Sequence, residues 1–180
     1  DHVDFIFESE YILRFHDPRK FGSILWTDKD PTSHKLIAHL GPEPLSEEFN
    51  DDYLYAKSKK HSLSIKSFIM NNKVVVGIGN IYANEALFLA GINPKCKVSR
   101  ISKKRYKILI ASIKKILTKA ITKGGTTLRD YVSGDGLPGY FANELKVYNR
   151  SGELCSKCKK KIKTIKQNQR STFYCAFCQT

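Results

Sequence analysis

The spacing of the last four cysteines constrains this chain more than any other feature. Cys155-Ser-Lys-Cys158 is followed by sixteen residues and then by Cys175-Ala-Phe-Cys178. Two Cys-x-x-Cys knuckles so placed offer four thiolates to one tetrahedral zinc ion at about 2.3 Å each, and leave no coordination position open for catalysis. A pair of disulfides is the competing reading. It is disfavoured because the rest of the chain carries only one further cysteine, Cys96, and no secretory signal. Between the knuckles, residues 161–165 and 171–174 read as strand-like arms and residues 166–170 as a polar turn. The C-terminal segment is therefore expected to be a zinc-pinned β-hairpin with basic residues at its tip.

Charge divides the chain into two parts. Residues 1–55 hold 5 Lys/Arg against 12 Asp/Glu, whereas residues 56–180 hold 26 against 5, within an overall net charge of +14. Clustered cations neutralise phosphates and release condensed counterions, so nucleic acid is the first expectation for the partner. An anionic membrane surface comes second, and no amphipathic helix with an exposed aromatic face supports it. With 41% hydrophobic residues over 180 positions there is material for one ordinary core or two small ones. No apolar run is long enough to span a bilayer, and the chain reads as soluble.

Residues 2–27 alternate apolar and polar positions: Val3, Phe5 and Phe7, then Tyr11, Leu13 and Phe15, then Phe21, Ile24 and Trp26. Period two predicts three β-strands, too few to close a sandwich or barrel, so this segment reads as the rear of a larger β-domain whose front is absent here. Residues 32–40 read as a short helix, and Gly41-Pro-Glu-Pro44 as a rigid linker. Asn50 with Asp51 and Asp52 marks a helix start, and a second helix fits residues 64–70. Gly77-Ile-Gly79 then leads into a helix over residues 80–90, giving a helix, a double turn and a helix. The two glycines and Asn80 suit a seat for an anion, since backbone without Cβ can lie close to a phosphate; relief of a tight turn explains the glycines equally well. A long helix over residues 102–123 buries Ile108, Leu109, Ile113, Ile116, Leu117 and Ile121, with a solvated lysine face. Residues 126–141 form a loop rich in small residues, either a binding loop or a linker into the hairpin.

Several of these stretches together resemble the bacterial formamidopyrimidine-DNA glycosylase family. They are His16-Asp-Pro-Arg-Lys-Phe-Gly22, Val75-Val-Gly-Ile-Gly-Asn-Ile-Tyr-Ala-Asn-Glu85, Gly124-Gly-Thr-Thr-Leu128, Pro138-Gly-Tyr-Phe141, Val147-Tyr-Asn-Arg150, the two knuckles, and Gln169-Arg-Ser-Thr-Phe-Tyr-Cys175. The resemblance implies a multi-domain α+β protein. Residues 1–42 would be the rear of a catalytic β-sandwich, 43–145 a helix-two-turn-helix domain with a lesion loop, and 146–180 a zinc finger. It also implies base-excision repair: removal of oxidised purines from double-stranded DNA, then strand nicking by β,δ-elimination, by a cytoplasmic monomer with one structural zinc.

At matching positions the resemblance implies DNA contacts for Arg19, Phe21, Lys60, His61, Lys66, Asn80, Tyr148 and Arg170. Arg19 and Phe21 would fill the gap left by a flipped nucleotide, and the loop at residues 133–140 would close over the base. Arg170 would grip the phosphates at the lesion and donate a proton in δ-elimination; phosphate binding suits its high pKa better. Cys155, Cys158, Cys175 and Cys178 would hold the zinc. Family members attack the sugar with the amine of an N-terminal proline, aided by a glutamate and a lysine, whereas this chain opens Asp1-His2-Val3. The chain is expected to be the C-terminal two-thirds of such an enzyme and inactive by itself. The alternative is a non-catalytic module that binds damaged or abasic DNA.

Overall fold

The computed structural model describes residues 3–17, 20–126 and 140–180. These fall into two compact units, 1–38 and 39–180. In the first, β1 (Val3–Ile6) pairs antiparallel with β2 (Ile12–Phe15), and Asp4 opposite Arg14 forms an ion pair at 2.9 Å. Only two of the three expected strands form: residues 21–27 carry none. A strand exists only when a neighbouring backbone takes its hydrogen bonds, and period two reports which face would be buried, not whether that neighbour is present. Several apolar residues of this unit are exposed, including Phe5, Ile6, Leu13 and Trp26, the last at 95%. The helix expected at residues 32–40 is reduced to a 3-10 turn at Pro31–Ser33 followed by turns. Leu36 and Ile37 remain exposed, and a short helix without a packed face is marginal.

The second unit is helical, with a small sheet. Helix α1 (Asp51–Ser58) starts where the Asn50 side chain accepts the Tyr53 N–H at 3.0 Å. Helix α2 (Ile65–Ile69) is capped by Ser64, α3 (Asn80–Leu89) starts at Gly79 without a side-chain cap, and α4 (Lys103–Thr122) is capped by Ser102. Their apolar faces meet in one core that includes Phe49, Leu54, Phe68, Leu87, Tyr106, Leu109 and Ile113. Burial on α4 follows Tyr106, Leu109, Ile110, Ile113, Leu117 and Ala120, while Ile108 and Ile121, expected inside, are exposed. The stripe is thus rotated towards Tyr106, whose hydroxyl donates to the Val98 carbonyl at 3.1 Å. Part of the lysine face is engaged: Lys103 pairs with Asp52, Lys119 with Glu144, and Lys114 donates to the Ser46 carbonyl.

The chain ends in an antiparallel hairpin of β3 (Lys163–Gln167) and β4 (Arg170–Tyr174). Its turn is tighter than the five polar residues suggested. Only Asn168 and Gln169 lie outside the strands, both left-handed (φ 46° and 60°), the conformation a two-residue hairpin requires. A second core joins the hairpin to α3 through Phe88, Val147, Ile162 and Phe173, beside buried Cys155 and Cys175. Among the described residues no helix is long and apolar enough to cross a membrane.

Candidate metal centre and nucleic-acid interface

The sulfur atoms of Cys155, Cys158, Cys175 and Cys178 all lie within 4.8 Å of one another. The Cys155–Cys178 and Cys158–Cys175 separations are 3.9 and 3.4 Å. A regular tetrahedron with metal–sulfur bonds of about 2.3 Å has edges of about 3.8 Å, so the donor set fits zinc. Both knuckles are closed alike: Lys159 N–H donates to the Cys155 carbonyl at 2.9 Å and Gln179 N–H to that of Cys175 at 3.1 Å. The Gln179 side chain, buried, accepts from Cys175 N–H and donates to the Ile92 carbonyl, tying the second knuckle to the helical core. Cys96 lies apart from the cluster, its thiol on the Lys97 carbonyl.

A polar seam runs between α2, α3 and β4. Lys66 Nζ donates to the Ser171 carbonyl at 3.0 Å and to Thr172 Oγ1 at 2.7 Å, and Asn80 Nδ2 donates to the same Ser171 carbonyl at 3.1 Å. One turn further along α3, Asn84 donates to the Asn80 carbonyl at 2.6 Å and accepts the Phe173 N–H at 2.8 Å. Glu85 accepts the N–H groups of Lys146, Val147 and Tyr148, each at 2.9 Å. Asn84 and Glu85 are 1% and 2% exposed, so α3 carries its hairpin contacts on an otherwise apolar face. Sequence reasoning assigned neither of them a role. The available signal was two adjacent polar residues inside the apolar stretch from Ile81 to Leu89.

Lys66 is only 2% exposed. Burial first, and the charge of Arg170 second, lower its pKa from 10.5 to about 8. An ammonium has three donors and two are occupied here, which leaves one for the cleft of about 130 Å³ that Lys66 lines with Ser67, Met70, Gln167, Asn168 and Arg170. Arg170, the first residue of β4, is exposed at the rim. Gly77 has φ +72° and so needs to be glycine for its turn, but Gly79 has an ordinary φ, and a Cβ there would meet nothing within 4 Å.

The structure thus gathers Lys66, Asn80 and Arg170 around Ser171. Tyr148 joins them indirectly, its ring packed edge-on against Phe173 at 5.1 Å. Lys60 and His61 follow α1, Lys60 exposed and the His61 ring 5.2 Å from that of Phe68. Phe21, in the unit of residues 1–38, is 84% exposed, and beside it the Gly22 N–H donates to the Asp17 carboxylate. Arg19 and residues 133–139 of the expected base-covering loop lie outside the described residues. Convergent neutral and cationic donors of this kind suit a phosphate oxygen.

The double turn between α2 and α3, with a four-cysteine hairpin packed on α3, defines a helix-two-turn-helix protein with a C-terminal zinc finger. Residues 40–132 match the model of the formamidopyrimidine-DNA glycosylase H2TH domain, and residues 152–180 that of the zinc finger found in FPG and IleRS. Formamidopyrimidine-DNA glycosylases of Saccharophagus degradans and of Marinomonas sp. strain MWYL1 are 54% and 56% identical over 99% and 100% of this chain. The chain spans 66% of the length of each of these relatives. The crystal structure of the MutM (Fpg) protein from Thermus thermophilus superposes with a TM-score of 0.88 at 33% identity, covering 98% of this chain and 67% of that one. Lactococcus lactis Fpg in complex with abasic-site DNA gives 0.74 at 39% identity, covering 80% and 53%. The chain belongs to the formamidopyrimidine-DNA glycosylase family, and its four thiolates hold one structural zinc ion.

Proposed function

We propose that this chain is the DNA-gripping part of a bacterial base-excision repair enzyme, a glycosylase and abasic-site lyase for oxidised purines such as 8-oxoguanine and formamidopyrimidines. It acts as a cytoplasmic monomer on double-stranded DNA. The observation that carries this reading is the convergence on Ser171 of Lys66 from α2 and Asn80 from α3, beside Arg170 of β4. Two modules thereby present donors to one backbone phosphate. The open space over Gly79 supports the same reading, since neither its φ nor crowding inside the protein calls for glycine there. Lactococcus lactis Fpg has been crystallised with abasic-site DNA and with Fapy-dG-containing DNA, the ligands this geometry suits.

Phosphate contacts fix register and orientation and carry no base information. Lys60, His61, Lys66, Asn80, Tyr148 and Arg170 are assigned that role, and Arg19 and Phe21 that of filling the gap beside an extruded nucleotide. Arg170 presents its guanidinium to the phosphate charge from the rim of the cleft, and proton donation in δ-elimination is the further role the family likeness assigns it. Strand nicking starts from a Schiff base between an amine and the sugar C1′. The four thiolates are committed to zinc, and the family likeness assigns that amine to an N-terminal proline.

The test uses the 180-residue polypeptide loaded with zinc. It should bind an abasic duplex more tightly than an intact one, and borohydride should trap no covalent complex. Trapping at the rate of a full-length relative would overturn the assignment of the nucleophile. Equal affinity for the two duplexes would overturn the lesion reading and leave general DNA binding.

A further inference from the structure

The hairpin tip is fastened to the start of α2 by a polar network distinct from the seam at Ser171. Gln167 Nε2 donates to Ser64 Oγ at 3.3 Å and to the Pro94 carbonyl at 3.4 Å. Ser64, the cap of α2, donates from its Oγ to Ser67 Oγ at 3.0 Å, and Asn168 Nδ2 donates to the same Ser67 Oγ at 3.0 Å. Two successive residues of the tip thus bond to two hydroxyls one helical turn apart, across 103 and 101 residues of sequence. Arg170 follows two residues after Asn168 and lines the same cleft as Ser67 and Lys66.

Geometry makes this attachment consequential. A two-residue hairpin turn with both residues left-handed fixes the tip internally but does not by itself hold the tip against α2. Arg170 has a long side chain and an exposed position, so a small tilt moves its guanidinium far. Lys66 from α2 and Asn80 and Asn84 from α3 fasten β4 at Ser171, Thr172 and Phe173, all on the one strand and after the tip. The Asn168–Ser67 and Gln167–Ser64 bonds restrain the tip itself. We infer that Asn168 and Gln167 are positioning residues for Arg170, docking the hairpin tip on α2 so that the guanidinium meets the lesion phosphate in a fixed place. The inference rests on the phosphate-gripping role of Arg170 proposed above.

Asn168→Gly is the discriminating variant, because glycine adopts the left-handed turn without strain and removes only the amide. Ser67→Ala removes the same bond from the other side. Both are compared with Arg170→Ala by anisotropy titration on an abasic duplex at several salt concentrations, with zinc bound and the melting temperature recorded. Each variant should weaken binding about fivefold, the worth of one net hydrogen bond, and the pair together no more than either alone. In an Arg170→Ala background Asn168→Gly should cost nothing further. Its salt slope should fall part of the way towards that of Arg170→Ala although no charge has been removed, because a displaced guanidinium releases fewer counterions. A contact with a purely structural role would leave that slope unchanged. Wild-type binding by Asn168→Gly, or a full additional loss in the Arg170→Ala background, would overturn the inference. If Arg170→Ala itself leaves affinity and slope intact, the phosphate role of Arg170 fails first, and this inference falls with it.

Discussion

The Glu85 carboxylate accepts the backbone N–H of Tyr148 at 2.9 Å across 63 residues of sequence. The same oxygen takes the Val147 N–H and the other oxygen the Lys146 N–H, so one buried side chain of α3 sets the path of the segment that enters the zinc module. Glu85→Gln keeps the shape but turns an NH2 group towards an N–H donor. It should lower unfolding free energy by about 2 kcal/mol, the cost of leaving buried donors unmatched. Urea titration measures this, and a change below about 0.5 kcal/mol would show the three bonds to be of little net value.

Removing zinc should separate the two modules in their response. The core of the hairpin is small, holding few apolar side chains besides its ligands, so metal binding and folding of this part are coupled. The helical core does not depend on the thiolates. Purified reduced protein should contain about one zinc per chain. Chelation should disorder the hairpin and weaken DNA binding while the helical circular dichroism signal and its melting persist. Loss of the helical signal on chelation, or a metal content near zero, would contradict this.

Lys66 predicts a pH dependence with a definite sign. Unfolded, it holds its proton up to about 10.5; folded, it releases it near 8. Between those values the unfolded chain binds more protons, so the Lys66 contribution to stability rises with pH, and below 8 the full cost of burying the charge is present. A phosphate beside Lys66 favours the charged form, so duplex binding takes up a proton and should weaken as pH rises above 8. Titrations at about pH 7.5 and about pH 9.5 test this, with Lys66→Met as the variant in which both trends flatten. Equal wild-type affinity at the two values would rule out a phosphate next to Lys66.

The zinc centre and the order of helices were legible in the sequence because each rests on local signals. The cysteine spacing fixes a ligand set, and Asn50, Ser64 and Ser102 each cap the helix expected after them. The third strand, residues 21–27, was over-read because period two does not report whether a pairing neighbour exists. Residues 32–40 were over-read because an apolar pattern over so short a stretch needs a packed face to hold a helix. The seam at Ser171 was half legible: motif likeness pointed to Lys66, Asn80 and Arg170 separately. The meeting of Asn80 and Lys66 on a single carbonyl depends on contacts 91 and 105 residues apart, which no local pattern encodes.

If Arg170 and Asn80 hold one kinked phosphate backbone from two modules, the salt dependence of DNA binding by their alanine variants should differ in a definite way. Arg170→Ala should lower the slope of log affinity against log salt by about one, whereas Asn80→Ala should weaken binding with little change of slope because no charge is lost. Both losses should be larger on an abasic duplex than on an intact one, since only the lesion lets the backbone kink into the seam. Equal losses on the two duplexes would place both residues on a general basic surface and contradict the two-module grip.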